Sequence, residues 1–102
     1  IMRKEIKMKF GLTEEIYNSL KRIMENYQQY NFKIFGSRAR GNYKKTSDID
    51  IAIFKNVKKE DEYSIRNEID KLNIIYKIDL VFVTDKTKKE LLKSIKEEGV
   101  DE

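Results

Sequence analysis

The chain has 102 residues, enough for one compact domain with a modest core and too few for two. Apolar and charged residues each make up 39%, and 22 lysines and arginines against 18 acids leave a net charge of +4; this mild excess suits phosphate-bearing ligands but forms no dense basic cluster of the kind that binds nucleic acid. Cysteine and histidine are both absent, which excludes disulfides, thiolate nucleophiles, Cys- or His-ligated metals and imidazole bases, so any catalysis must rest on carboxylates, hydroxyls, lysines, arginines and a hard cation.

Residues 2–10 are basic and loosely alternating, which predicts a short strand or an ordered arm, and Met2 is the expected natural start, with Ile1 expected to be a remnant before it. Thr13 is placed to cap a first helix. Glu14 and Glu15 fall in its first turn, Leu12 and Tyr17 are spaced as a hydrophobic staple, and Ile16, Leu20, Ile23, Met24 and Tyr27 form one apolar stripe to about residue 29. The run 32–35 predicts a strand ending at Gly36. A second strand is predicted over 47–54, with Ile49, Ile51 and Ile53 on one face and Asp48, Asp50, Ala52 and Phe54 on the other. A second helix is expected from about 61 to 75, a third strand over 77–83, and a last helix opening on a Thr87–Glu90 capping box and stopping near Gly99. The order helix–strand–strand–helix–strand–helix predicts an α/β (α+β) domain, a mixed sheet of three or four strands flanked by helices. The absence of proline, of repeats and of a Gly/Ser linker predicts a single domain over 1–102 with its core at about 13–99. No apolar run approaches the roughly 18–20 residues of a membrane span, and no signal-peptide pattern opens the chain, so a cytoplasmic location with no membrane contact is expected.

The chemistry concentrates in Gly36-Ser37-Arg38-Ala39-Arg40-Gly41 and Ser47-Asp48-Ile49-Asp50. Two aspartates one residue apart on a strand share a face, about 6–7 Å apart along the chain. Their repulsion is relieved most simply by Mg²⁺ or Mn²⁺, which prefer oxygen ligands and arrive with substrate phosphates; the alternative is a solvated strand face. Glycines at 36 and 41 let backbone approach a ligand, Ser37 adds a hydroxyl, and Arg38 and Arg40 supply forks suited to phosphate oxygens, against the alternative of an ordinary turn with solvated arginines. Asp79, between Ile78 and Leu80, is either paired with a neighbouring lysine or placed by strand adjacency beside Asp48 and Asp50.

Gly36-Ser37, ten intervening residues and Asp48-x-Asp50 resemble the signature of the polymerase-beta-like nucleotidyltransferases, and the fuller string GSRARG…SDIDIAIF resembles their minimal branch. The resemblance implies that fold, and a magnesium-dependent transfer of a nucleoside monophosphate to an acceptor hydroxyl. It implies that Gly36 and Ser37, with Arg38, Arg40 and Ser47 beside them, bind the triphosphate. Asp48 and Asp50 are implied to ligate two Mg²⁺ ions, and Asp79 to ligate one of them or assist deprotonation of the acceptor. Such chemistry needs positioning and charge neutralisation rather than histidine. Only three residues follow Gly99, so no acceptor-binding domain is expected. The chain then resembles the antitoxin of HEPN–MNT toxin–antitoxin pairs, which implies ATP as substrate, AMPylation of a tyrosine on a HEPN ribonuclease toxin, and a homo- or hetero-oligomer. Two other readings stand beside it: a binding antitoxin without catalysis, and an enzyme acting on RNA or a small-molecule hydroxyl. Tyr43, inside the motif loop, is a candidate to stack on a base.

Overall fold

A computed structural model describes residues 10–101; the predicted strand or arm over 2–10 lies almost wholly outside them. The first helix, α1 (Glu14–Asn26), starts where the sequence places it, because the Thr13 hydroxyl accepts a hydrogen bond from the Ile16 amide at 3.3 Å. It ends at Asn26, about three residues short of the predicted end, with Tyr27 as its C-cap. Strand β1 (Asn31–Phe35) follows, then a four-residue helix, α2 (Ser37–Arg40), where the sequence suggests only a turn. Strand β2 (Ile49–Phe54) begins after Asp48, so that aspartate lies on the loop entering the strand rather than on the strand itself.

Helix α3 (Lys59–Asp70) starts two residues earlier than expected and ends five earlier, and β3 (Ile78–Phe82) follows it. The last helix, α4 (Lys89–Glu98), does not use the predicted capping box. The Thr87 hydroxyl instead accepts from the Thr84 amide at 2.9 Å, closing the turn before the helix, and Lys88 occupies the cap position without a side-chain bond. Gly99 is extended (φ −68°, ψ 141°) rather than left-handed, so the chain runs directly into a two-residue strand, β4 (Val100–Asp101), absent from the sequence reading.

The described strands form one sheet in the order β3-β2-β1-β4. β1 pairs antiparallel with β2 and with β4, while β2 and β3 are parallel and joined by the α3 crossover, as parallel pairing demands. Alternation along the strands gives the sheet two packed faces. On one, Phe32, Ile34, Ile49, Ile51 and Ile53 meet Leu20, Ile23 and Met24 of α1 and Ile65 and Ile69 of α3. On the other, Phe35 and Ala52, flanked by Phe54, Val81 and Val83, meet Ile95 and Leu91 of α4. Helices on both faces of a central sheet are one of the few ways a chain of this pattern can bury every apolar stripe. Three long-range bonds from two tyrosines fix the crossover: the Tyr27 hydroxyl donates to Glu68, and the Tyr30 hydroxyl donates to Asp61 while accepting from the Lys58 amide. They tie α3 to the end of α1 and the start of β1, and so bear on where β3 meets β2.

Candidate active site

The site is built by register. Phe35 is paired with Asp50 across β1–β2, and Asp50 with Asp79 across β2–β3. The turn leaving β1, the middle carboxylate and the third carboxylate therefore lie side by side on three adjacent strands. They occupy the face that carries Ala52 and Val81, the face covered further along by α4. Gly36 completes the row. Its φ of +76° is one that residues with a side chain rarely adopt, and a Cβ there would stand 2.3 Å from Asp50 Oδ2. The absent side chain is the space the Asp50 carboxylate fills.

The electrostatics follow from that crowding. Asp50 is half-buried, and its carboxyl is held above the ordinary carboxylate range, first by burial, then by the charges of Asp79 and Asp48 and a hydrogen bond with Asp79. Arg40 acts in the opposite sense. Asp79 keeps about two-fifths of its side chain exposed and takes the lysine partner weighed from sequence, Lys77 Nζ at 3.5 Å, while the strand register sets it beside Asp50. Arg40 pairs with Glu98 of α4 at 2.7 Å. Ser37, the first residue of α2, is half-exposed beside Gly36.

Two of the expected phosphate ligands are placed otherwise. Arg38 is 2% exposed, and its guanidinium donates to main-chain oxygens: Nε and Nη2 to Ser47 at 3.1 and 2.9 Å, Nη1 to Phe10 at 3.0 Å, and Nη2 to Lys45 at 3.5 Å. A fork already filled by carbonyls is not presented to a phosphate. Ser47 is likewise turned to its own loop, its hydroxyl accepting from the Lys44 amide at 2.8 Å. Tyr43, weighed as a base-stacking ring, lies against Gly11 and faces the Arg38 guanidinium 5.3 Å away. Sequence reasoning missed Glu98 and Tyr76, the second ring over Arg38 at 4.5 Å. No local pattern in the sequence marks either contact.

Asp50 and Asp79, with Asp48 near enough to act on Asp50, offer oxygen donors of one charge sign, the chemistry a hard divalent cation selects. Among the described residues no three acidic groups stand as a ready-made metal cluster; the donor set fits such a cation as a partly open site that substrate oxygens would complete. No helix among the described residues is long and apolar enough to cross a membrane.

A family model described as "Polymerase beta, Nucleotidyltransferase" matches residues 14–101. Of curated proteins, the chain is 42% identical over 52 residues to "Putative protein adenylyltransferase MJ1215" of Methanocaldococcus jannaschii. That match covers 51% of this chain and 60% of the relative, so the similarity spans little more than half of either protein.

Proposed function

The chain belongs to the polymerase-beta nucleotidyltransferase family, and from that premise we propose that it transfers AMP from ATP to a protein hydroxyl, the tyrosine of a HEPN-type ribonuclease toxin that the modification silences. The observation that carries the transfer is the row of Gly36, Asp50 and Asp79 on three adjacent strands. The choice of a protein acceptor is supported by the name of the archaeal relative. Asp48, Asp50 and Asp79 would hold Mg²⁺, which supplies charge neutralisation for the triphosphate and a lowered pKa for the attacking hydroxyl.

The residues of the chain do the positioning. In the reaction the acceptor oxygen bonds the α-phosphorus, the bond from that phosphorus to the bridging oxygen breaks, pyrophosphate leaves and the hydroxyl proton is released. Gly36 lets the backbone of the β1–α2 turn approach the phosphates unobstructed, and the Ser37 hydroxyl donates to a phosphate oxygen. Arg40, already within electrostatic reach of Asp50, neutralises phosphate charge when it leaves Glu98. Asp79, at the open end of the row, receives the acceptor proton at a carboxylate oxygen or holds the oxygen in line.

The test is intact-mass spectrometry of a candidate HEPN-type ribonuclease from the same organism, after incubation with the chain, ATP and Mg²⁺. The expected result is a mass gain in whole adenylyl units, reduced on the order of 10²–10³-fold or more by Asp50→Asn, the scale on which preorganised charged groups act. No gain within a tight complex would establish a binding antitoxin instead. No gain and no complex would redirect the search to RNA or small-molecule hydroxyls.

A further inference from the structure

Arg38 is a cation buried almost completely, and among the described residues no carboxylate pairs with it. Burying a charge is costly unless its donors are satisfied. Here they are satisfied by carbonyl oxygens of Phe10, Lys45 and Ser47, with the tyrosine rings at 43 and 76 facing the guanidinium. The neighbourhood is shaped around this arrangement. Gly11, at φ +70°, has no side chain where a Cβ would stand 2.2 Å from the Tyr43 ring, so the ring can close over Arg38.

What the guanidinium joins matters more than how well it is buried. Arg38 belongs to α2, one residue after Ser37, and two of its three nitrogens hold the Ser47 carbonyl, the peptide unit immediately before Asp48. It thereby couples the two halves of the motif, the Gly36-Ser37 turn and the Asp48–Asp50 segment, across the exposed loop 41–46. That loop has few other anchors: among them are a Gly41 amide bond to Ser37, reciprocal bonds between Lys44 and Ser47, and the Ile49 amide bond to Lys77.

We infer that Arg38 is a positioning residue, whose guanidinium sets the Asp48 peptide relative to the Ser37 turn and so fixes the carboxylates against the bound triphosphate without touching it. The inference rests on the nucleotidyl-transfer reading above. A lysine at this position carries the charge but cannot present a planar fork to one carbonyl while reaching two others. Loss of the fork leaves the phosphate-binding turn intact and disturbs the alignment of the carboxylates. The consequence is a fall in kcat with little change in KM.

The test compares the wild-type chain with Arg38→Lys and Arg38→Met by two readouts, hydrogen–deuterium exchange over 41–48 and over α4, and steady-state transfer to the same acceptor. Arg38→Lys serves if Arg38→Met fails to fold. The expected result is faster exchange confined to 41–48, with kcat reduced on the order of 10–10²-fold, as small misplacements near reacting groups cost, and KM for ATP within about threefold. Unchanged exchange over 41–48 in Arg38→Lys overturns the inference. So does wild-type kcat with a loosened loop, or an equal rise in exchange over 41–48 and α4, which would make Arg38 an ordinary core residue. If the wild-type chain transfers nothing, the transfer reading fails, and exchange alone decides the brace: loosening confined to 41–48 upholds it and its absence rejects it.

Discussion

Asp50 sits where three demands meet: its strand position half-buries it, Asp79 and Asp48 repel it, and Gly36 makes room for it. A carboxyl whose folded-state pKa is raised favours folding below its unfolded pKa, near 4, and that contribution is lost as pH rises through the folded value. At neutral pH the metal-free protein therefore carries a penalty that Asp50→Asn, of the same shape, does not. Cross-strand charge pairs are worth roughly 0.2–1 kcal/mol, and the upper end corresponds to about 4–8 °C in a domain of this size. Asp50→Asn is expected to raise the calorimetric midpoint by up to a few degrees at pH 7 in chelator. The gap should close near pH 4, and an equal or lower midpoint at pH 7 would contradict the repulsion. Mg²⁺ should stabilise the wild-type chain and not the variant.

At the scale of elements, the helix starts are unequal. α1 has a side-chain cap in Thr13, with two acids in its first turn, whereas α4 begins on a lysine that donates no cap and places positive charge at the positive end of the helix dipole. Thr13→Ala should cost about 1 kcal/mol in urea unfolding. Lys88→Asp should add about 0.5–1 kcal/mol, by supplying the missing acceptor to the first turn of α4. A destabilising Lys88→Asp would mean that the Thr84–Thr87 turn, rather than the cap, governs how α4 begins. The four-residue α2 was not legible as a helix, because Ser-Arg-Ala-Arg between two glycines carries no apolar stripe. Its one buried side chain is an arginine.

At the scale of the whole molecule, the two faces of the sheet contribute unequally to stability. Ile51 and Ile65 are essentially fully buried between the sheet and the α1–α3 layer, while the α4 face rests on a smaller group around Phe35, Ala52 and Ile95. Ile51→Ala should cost about 2–5 kcal/mol by denaturant unfolding, a large fraction of what a domain of this length possesses. Ile75, 86% exposed in the turn before β3, is the control; Ile75→Ala should fall within about 0.5 kcal/mol. A small loss at Ile51 would show that the sheet can collapse onto the vacated space.

The sequence by itself determined the apolar stripe of α1, the alternation of β2 and the family signature Gly36-Ser37 with Asp48-x-Asp50, because each is written in neighbouring residues with a fixed period or spacing. Tertiary structure alone decided what lay between distant segments. The parallel register set Asp79 against Asp50, and the approach of β2 to the β1 turn explains the glycine at 36. Burial separated two arginines that read alike in sequence: Arg40 stays at the surface beside the carboxylates, and Arg38 turns inward to hold the Ser47 carbonyl. β4 was equally invisible, since two residues carry no periodicity and gain their strand character only from pairing with Lys33 and Ile34. A side chain's type sets which bonds it can make, but the other end of a long-range bond is supplied by the fold.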